Sequence, residues 1–383
     1  MRQIYLDNAA STKVDSKVVK AMLPYFANYY GNASEPHLFG IEANEAIENS
    51  REIIANFLGA TNSSEIIFTS CATESINLAH KGLIETSKSK VRIITTSIEH
   101  KAVLEACKHT NATVNCLQVD SKGLVSVEDI KRALTPNTIL VSIMYVNNEI
   151  GTIQPIEEIG EMLKKYNKEH NCKIYFHVDA TQAIEYLNCN VDYLGVDLLS
   201  FSGHKIHAPK GIGCLYIRKN TPLVRQQDGG GQEFGLRAGT ENVPYIVGLA
   251  KAIELIKKTD IKQIKRLRDD FINWITANFS NELFLTGSRC NRAPHIASFV
   301  SKDFRGTDLV LALSQRGIAC ASGSACNSDS IQPSHVLKAI HTSKAHINGS
   351  IRFSLSKYTT RREIQVVEKE LRMIVNTLRG KNI

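Results

Sequence analysis

Apolar segments of strand length alternate with segments of helical spacing through much of the chain. Apolar residues at helical spacing predict two helices near the N-terminus, over residues 17–30 and 38–58. From residue 65 onward strands and helices alternate, which predicts an α/β fold with a mostly parallel sheet covered by helices on both faces. The predicted strands cover residues 65–69, 91–96, 114–119, 138–146, 173–179, 193–199 and 214–217.

Polar side chains follow the ends of several predicted strands. Thr73, His100, Asn148 and Asp179 each come just past a strand. Ligands of parallel sheets bind at the carboxyl ends of the strands, so we expect these four residues to share one site. The small-residue turn at Ala72 and Thr73 opens a helix, an arrangement that binds phosphate through backbone N–H groups. A simple helix cap is the alternative for that turn.

Lys205 lies in a short turn between two apolar segments. Partial burial disfavours the charged form of a lysine, so its amine can become the nucleophile of a Schiff base. Asp179 ends a predicted strand about one strand–helix–strand unit earlier. A carboxylate there can keep the nitrogen of a pyridine-ring cofactor protonated. Asp179 taken alone would more commonly cap a helix, but with Lys205 the pair predicts a pyridine-ring cofactor whose aldehyde the lysine holds as an imine.

The pattern changes near residue 250. Residues 250–279 are predicted to form one long amphipathic helix that leads into a smaller domain. Residues 1–14 form an arm too short to fold alone, so it must dock on another part of the chain. We therefore predict a large cofactor-binding domain over residues 15–250 and a small α+β domain made of residues 1–14 and 251–383.

A segment of small and polar residues in the small domain, about residues 318–333, contains two cysteines. Such a sequence predicts a surface loop, and a cysteine on it is exposed enough to react. Cys326 is the better candidate, because Cys320 directly follows an apolar run and is expected to be buried. The alternative for either cysteine is a small buried hydrophobic residue.

The composition is that of an ordinary globular protein, with 43% apolar and 22% charged residues. The net charge of +8 is spread along the chain, which favours a lysine-rich solvated surface over a nucleic-acid site; attraction to an acidic partner is the alternative. No apolar run approaches the roughly 18 residues of a membrane span, and no signal core opens the chain. Nine cysteines without a CxxC pair indicate reduced thiols. We expect a cytoplasmic protein without membrane contact; a mature chain whose transit peptide has been removed is the alternative.

Several motifs together resemble the class V, fold-type I enzymes that use pyridoxal 5'-phosphate (PLP) and, within them, the cysteine desulfurases of the NifS/IscS type. The resemblance runs essentially end to end and implies a seven-stranded, mostly parallel sheet with helices on both faces plus a smaller α+β domain. The motifs are Leu-Asp-Asn-Ala-Ala at the start, Ala-Thr73-Glu-Ser, Glu-His100, Asn-Asn148-Glu, His-Val-Asp179-Ala-Thr-Gln182, Ser202-Gly-His204-Lys205, Arg-Ala-Gly-Thr240, Ser-Gly-Ser-Ala-Cys326 and Ile-Arg352-Phe-Ser.

The resemblance implies a role for each motif. Lys205 would bind the cofactor and move a proton, and Asp179 would pair with its ring nitrogen. Gln182 would reach the ring oxygen, and His100 would stack on the ring and take part in catalysis. Asn148 would bind cofactor and substrate, and Arg352 would bind the substrate carboxylate. The phosphate would be bound by the Ala72 backbone, Thr73, Ser202 and His204. Thr240 would join them from the partner subunit of a homodimer.

The implied reaction converts L-cysteine into L-alanine and leaves a persulfide on Cys326. The persulfide passes its sulfur to an acceptor such as an iron–sulfur scaffold. Cys326 itself could contact a cluster transiently. The alternatives within PLP chemistry are a selenocysteine lyase and a class V aminotransferase. The cysteine loop argues against transamination, which needs no thiol. A third alternative is a sulfur-carrier or scaffold-binding module without catalysis, against which the intact Lys205, Asp179 and His100 argue.

Overall fold

The computed structural model describes residues 3–322 and 333–380. Its strands are short and its helices are mostly amphipathic. The strands are β1 Ile4–Tyr5, β2 Ile66–Thr69, β3 Arg92–Thr96, β4 Thr113–Leu117, β5 Thr138–Met144, β6 Tyr175–Asp179, β7 Leu198–Ser202, β8 Gly213–Ile217, β9 Phe284–Leu285, β10 Ile296–Val300, β11 Ile318–Ala319 and β12 Ile351–Ser354.

The helices fall between these strands and at the end of the chain. They are α1 Ser16–Met22, α2 Pro24–Ala27, α3 Leu38–Leu58, α4 Ala72–Ile84, α5 Lys101–Lys108, α6 Val127–Ala133, α7 Ile156–Glu169, α8 Val191–Leu194, α9 Val243–Ile256, α10 Ile261–Asn278, α11 Gly306–Ser314, α12 His335–Ala339, α13 Lys344–Ile347 and α14 Arg361–Gly380.

Seven strands form the central sheet, in the order β2-β8-β7-β6-β5-β3-β4. All neighbouring pairs are parallel except those of β8, which runs antiparallel to both β2 and β7. Residues of the central strands are almost entirely buried, as expected for a sheet with helices on both faces. The predicted fold class is confirmed. This sheet brings the carboxyl ends of β5, β6 and β7 side by side.

A second, smaller core surrounds the antiparallel strands β9, β10 and β12. Helices α10 and α14 contribute their apolar faces to it, and α14 starts with a capping pair in which the Glu363 carboxylate accepts the Thr360 N–H at 2.8 Å. The N-terminal strand β1 pairs with β11 in parallel. The first residues of the chain therefore dock on the C-terminal part, as predicted for an arm.

Three predicted elements differ from the structure. The helix predicted over 17–30 is split into α1 and α2 at Pro24, which has no N–H group to continue the α1 ladder. The strand predicted over 193–199 begins only at Leu198, because α8 occupies the earlier residues and ends at Gly195 with a φ of 64°. The long helix predicted over 250–279 is two helices, since Asp260 caps a new one at Ile261.

Within the described ranges, 3–322 and 333–380, no helix combines the length and the apolar character that a bilayer crossing requires.

Candidate active site

A cavity of about 220 Å³ opens at the carboxyl edge of the central sheet. The ends of β5, β6 and β7 form its floor, and the first turn of α4 forms one wall. The cavity brings together most of the predicted site residues. Its lining consists of Cys71, Ala72, Thr73, Ile76, His100, Ala102, Met144, Val146, Asn148, Asp179, Thr181, Gln182, Ser202, His204 and Lys205.

Lys205 ends a short 3-10 turn, Gly203–Lys205, directly after β7. Its Nζ donates to the carbonyl oxygens of Ala9 at 2.7 Å and Ala10 at 2.8 Å, so the N-terminal arm lies against the lysine. Burial, with a smaller effect of the nearby positive charge of Arg352, lowers the pKa of Lys205 to about 8. An amine with this pKa is neutral in an appreciable fraction of molecules near pH 7, as a nucleophilic lysine requires.

Asp179 is the last residue of β6 and is 5% exposed. Its Oδ1 accepts the Thr181 N–H at 2.9 Å, and its backbone carbonyl accepts the Tyr145 N–H at 2.9 Å. These bonds fix the carboxylate at the floor of the cavity. Lys205, which follows the neighbouring strand β7, reaches the same cavity. Asp179 and Lys205 thus line one cavity, and their joint action on a cofactor stays a prediction.

His100 caps the N-terminus of α5 and faces the cavity. Its Nδ1 accepts the Ala102 N–H at 3.1 Å, so the neutral ring carries its proton on Nε2. Desolvation lowers the pKa of His100 despite the opposing effect of the Asp179 charge. The imidazole is therefore a flat neutral ring at pH 7, suited to stacking on an aromatic cofactor.

The first turn of α4 has no side-chain cap. Its N-cap residue, Cys71, makes no side-chain hydrogen bond to the helix N-terminus, and Ala72 and Thr73 line the cavity, so the predicted phosphate site lies at an uncapped helix start. A Cβ on Gly213, the first residue of β8, would lie 2.6 Å from the Cys71 backbone carbon. Only glycine permits this close packing of β8 behind the turn.

Ser202 and His204 approach the same wall from the β7 side. Burial lowers the pKa of His204 to about 4, with smaller effects of Lys205 and Lys210. His204 is therefore neutral at pH 7 and contributes hydrogen bonds rather than charge. Its Nδ1 lies 3.3 Å from the Ser11 hydroxyl of the arm.

Gln182 is held from two sides. Its Nε2 donates to the Ala9 carbonyl at 2.8 Å, and its Oε1 lies 3.1 Å from Nε2 of His295. Burial lowers the pKa of His295 to about 3, so this ring is neutral and donates that bond. His295 and Ala9 were not foreseen from the sequence, because neither carries a signal that links it to Gln182.

Asn148 lines the cavity, whereas Arg352 lies just behind it on β12. The two are joined by a hydrogen bond from Nη1 of Arg352 to the Asn148 carbonyl at 2.7 Å. The second terminal nitrogen, Nη2, pairs with the carboxylate of Asp7 at 2.9 Å. Both predicted substrate-binding residues are thus adjacent, and Asp7 joins them without having been predicted.

Thr240 lies outside the cavity lining, on an exposed glycine-rich loop. The base of that loop is fixed by Glu233, whose carboxylate pairs with buried Arg51 at 2.8 Å and accepts the Phe68 N–H at 2.8 Å. Glu233 and Phe234 both have positive φ, 48° and 56°, a strained backbone that this ion pair holds in place. A role of Thr240 toward a partner subunit stays a prediction.

The predicted catalytic residue Cys326 lies outside the described residues. Cys320 is buried as expected, and burial raises the pKa of its thiol to about 12, which disfavours it as a nucleophile. Among the eight described cysteines, all of them free thiols, Cys71 alone lines the cavity. The described residues contain no group of three or more side chains placed to bind a metal ion.

Glu99 is a further residue whose role the sequence did not reveal. It lies fully buried next to His100, and its Oε1 accepts the Thr96 hydroxyl at 2.6 Å and the Met144 N–H at 3.1 Å. Burial, with a smaller effect of the Asp179 charge, raises the pKa of Glu99 to about 8. Glu99 is therefore a neutral acid at pH 7, which leaves Asp179 as the carboxylate that faces the cavity.

Glu99→Gln is expected to flatten the pH dependence of stability. Folded Glu99 keeps its proton up to about pH 8, whereas an unfolded glutamate loses it near pH 4.3, so the free energy of unfolding falls as the pH rises between these values. The contribution is at most about 1.4 kcal/mol per pH unit. Urea unfolding at pH 5.5 and 7.5 measures it, with exposed Glu128→Gln as control. Equal pH slopes for wild type and Glu99→Gln would contradict a neutral Glu99.

Comparison with known proteins assigns the family. The family model described as aminotransferase class-V matches residues 4–367. The chain is 44% identical to cysteine desulfurase IscS of Dictyoglomus turgidum, covering 99% of this chain and 96% of that protein. It is 40% identical to cysteine desulfurase NifS of Azotobacter vinelandii, with 99% and 94% covered. The chain belongs to the class V aminotransferase family.

Solved structures agree with this assignment. A NifS-like protein superposes with a TM-score of 0.90 at 39% identity, covering 98% of this chain and all of the other. SspA in complex with cysteine superposes with a TM-score of 0.80, also at 39% identity, over 93% of this chain and all of the other. Within its family the chain thus groups with proteins of the NifS/IscS type, and the resemblance seen in its motifs is confirmed.

Proposed function

We propose that this chain is a PLP-dependent cysteine desulfurase, which converts L-cysteine to L-alanine and transfers the sulfur to Cys326. The observation that carries the proposal is the joint placement of Lys205, Asp179 and His100 in one cavity, with the Lys205 pKa lowered to about 8. Both relatives described above are named cysteine desulfurases, at 40% and 44% identity over nearly the whole chain.

The cavity residues fit PLP. The uncapped first turn of α4 offers N–H groups to a phosphate, and the hydroxyls of Thr73 and Ser202 add donors. Asp179 supplies a fixed carboxylate for a protonated pyridine nitrogen, and His100 supplies a neutral ring for stacking. Lys205, in the same cavity, is the residue that would bind the cofactor covalently. When bound, PLP supplies an electron sink for the charge left on an amino acid that loses a proton.

The chain's own groups supply the acid–base chemistry. With a pKa near 8, the Lys205 amine can accept a proton from the substrate and return it at neutral pH. The arm carbonyls of Ala9 and Ala10 hold the amine while it carries that proton, since both accept from Nζ.

L-Cysteine is the proposed substrate. Asn148 lines the cavity and Arg352 is hydrogen-bonded to its carbonyl from just behind, and these two residues would bind the substrate carboxylate. The solved structure of SspA contains cysteine, which supports cysteine as the substrate of this related chain. The thiolate of Cys326 would form a bond to the substrate sulfur as the carbon–sulfur bond breaks, and the carbon skeleton would leave as alanine. A sulfur-acceptor protein for iron–sulfur cluster assembly would then take the sulfur.

A homodimer is part of the proposal. Several large apolar side chains near the N-terminus are exposed. Phe234, on the loop that carries Thr240, is exposed as well, and it lines a cleft together with residues of α3. A second copy that covers this surface would bring Thr240 of the partner subunit toward a cofactor phosphate. The exposed side chains are Leu23, Phe26, Tyr30, Leu38, Phe39 and Phe234.

The domain division and the compartment are also proposed. The central sheet lies within residues 66–217 and the small antiparallel sheet within 284–354, which supports a large and a small domain. Helix α9 shares the core of the central sheet, so we place the boundary in the break between α9 and α10 rather than at residue 250. The free thiols of the described cysteines are typical of a reducing compartment and support a cytoplasmic protein.

Product analysis tests the function. Holoprotein with L-cysteine and a thiol reductant is expected to release alanine and sulfide in equal amounts. An aminotransferase would instead form a keto acid and need an acceptor, and a selenocysteine lyase would act on selenocysteine but not on cysteine. Absence of both products from L-cysteine would refute the proposal.

A further inference from the structure

The guanidinium of Arg352 is already held before any substrate is considered. Nη1 donates to the Asn148 carbonyl at 2.7 Å, and Nη2 donates to Oδ1 of Asp7 at 2.9 Å. The side chains of the Asp7–Arg352 pair are only 23% and 12% exposed. Its charges are therefore screened less than those of a surface ion pair, and the contact restrains the plane of the guanidinium.

The backbone fixes Asp7 opposite Arg352. Asp7 forms a parallel bridge with Ser354, two residues after Arg352 on the same strand. The Ser354 N–H donates to the Leu6 carbonyl at 2.7 Å, and the Ser354 hydroxyl accepts the Ala9 N–H at 2.9 Å. Asp7 is thus locked between two residues that are themselves bonded to β12. The position of its carboxylate is set by the fold, without help from a ligand.

The same arm segment, residues 7–12, continues to the lysine. Ala9 and Ala10 accept from Lys205 Nζ, and the Thr12 hydroxyl donates to the His204 carbonyl at 2.9 Å. One short segment therefore contacts both the arginine proposed to bind the substrate carboxylate and the lysine proposed to move its proton. A residue on this segment that orients one of them sets its geometry relative to the other.

We propose that Asp7 is a positioning residue for substrate recognition, which orients the Arg352 guanidinium so that its free N–H groups face the carboxylate of L-cysteine. Toward the described residues, each terminal nitrogen uses one of its two hydrogens, on Asp7 or on Asn148, which leaves one on each for a carboxylate. Without Asp7 the half-buried arginine loses its counter-charge and its fixed plane. This inference rests on the proposed function.

Asp7→Asn tests it, because asparagine keeps the shape and an acceptor oxygen but not the charge. The KM for L-cysteine is expected to rise about tenfold, with kcat nearly unchanged, as for a lost charge-assisted hydrogen bond in binding. Calorimetry on the holoprotein gives a second readout. The Kd of 3-mercaptopropionate, which has the carboxylate and no amine, should rise by a similar factor, while that of 2-aminoethanethiol, which has no carboxylate, should not change.

Two further variants separate orientation from damage to the arm. Asp7→Glu keeps the charge and is expected to retain most of the affinity for 3-mercaptopropionate, so it preserves the test if Asp7→Asn does not fold. Tyr5→Phe removes a bond within the arm, from the Tyr5 hydroxyl to the Ser11 carbonyl at 2.8 Å, and leaves the ion pair intact. Its KM should match wild type.

The outcomes are distinct. An unchanged Kd for 3-mercaptopropionate in Asp7→Asn, or an equal loss for 2-aminoethanethiol, would overturn the inference. Tighter binding of 3-mercaptopropionate would also overturn it, since Asp7 would then compete with the substrate for Arg352. Failure of the proposed function is recognised separately, as wild-type holoprotein that forms no alanine from L-cysteine.

Discussion

Lys205→Ala is expected to abolish turnover of L-cysteine, with a loss on the order of 10⁴-fold or more. The amine of Lys205 is the cavity group whose pKa, about 8, suits both covalent binding of the cofactor and proton transfer. Alanine has neither capacity. The variant should also lose the visible absorbance of the holoprotein, because the cofactor would no longer be bound through a lysine. Alanine and sulfide assays with absorbance spectra measure both effects.

Lys205→Arg separates chemistry from charge. Arginine keeps a positive charge at this position but stays protonated at neutral pH, so it offers no free amine. If Lys205 acts as a nucleophile and base, the arginine variant should be as inactive as the alanine variant. Lys210→Ala is a matched control, since Lys210 lies in the same connection between β7 and β8 but is exposed. Turnover by either Lys205 variant close to that of wild type would contradict the role proposed for the lysine.

Cys326→Ser is expected to stop sulfide release while leaving cofactor binding intact. Transfer of sulfur needs a thiol that can form a bond to the sulfur of the substrate, and a hydroxyl does not form the corresponding product. The expected result is a normal visible spectrum and a spectral response to L-cysteine, with neither sulfide nor alanine released. Spectra and product assays on the same preparation measure this combination.

Cys71 is the alternative thiol that this experiment must exclude. Among the described cysteines it alone lines the cavity. If Cys71→Ser stopped sulfide release and Cys326→Ser did not, the loop cysteine would have no role in the reaction. Cys290→Ser serves as the control for loss of an exposed thiol far from the cavity.

The sequence was sufficient to predict the sheet and the edge where the site lies. Central strands such as β5 are buried along almost their whole length, so they form continuous apolar runs in the sequence whose ends are easily located. Asp179, His100 and Thr73 could therefore be placed together from their positions after strands. The errors lie where local chemistry overrides periodicity, as at Pro24, which splits a helix, and at Gly195, which ends a short helix where a strand was expected.

The partners that hold the site could not be predicted in the same way. Asp7 and Arg352 are 345 residues apart, and His295 meets Gln182 across 113 residues. Hydrophobic periodicity identifies the face of an element but not the side chain that it meets in another part of the chain. The neutral state of Glu99 likewise depends on burial between α5 and β5, which is a property of packing rather than of local sequence.

The central claim is that this cavity holds PLP through Lys205, and borohydride reduction tests it most directly. Reduction of the holoprotein fixes the cofactor to the lysine that binds it, and peptide mapping by mass spectrometry then identifies that lysine. The account predicts the phosphopyridoxyl group on Lys205 in wild type and on no lysine in Lys205→Ala. Label on another lysine, or no label on a wild-type protein that converts L-cysteine, would contradict it.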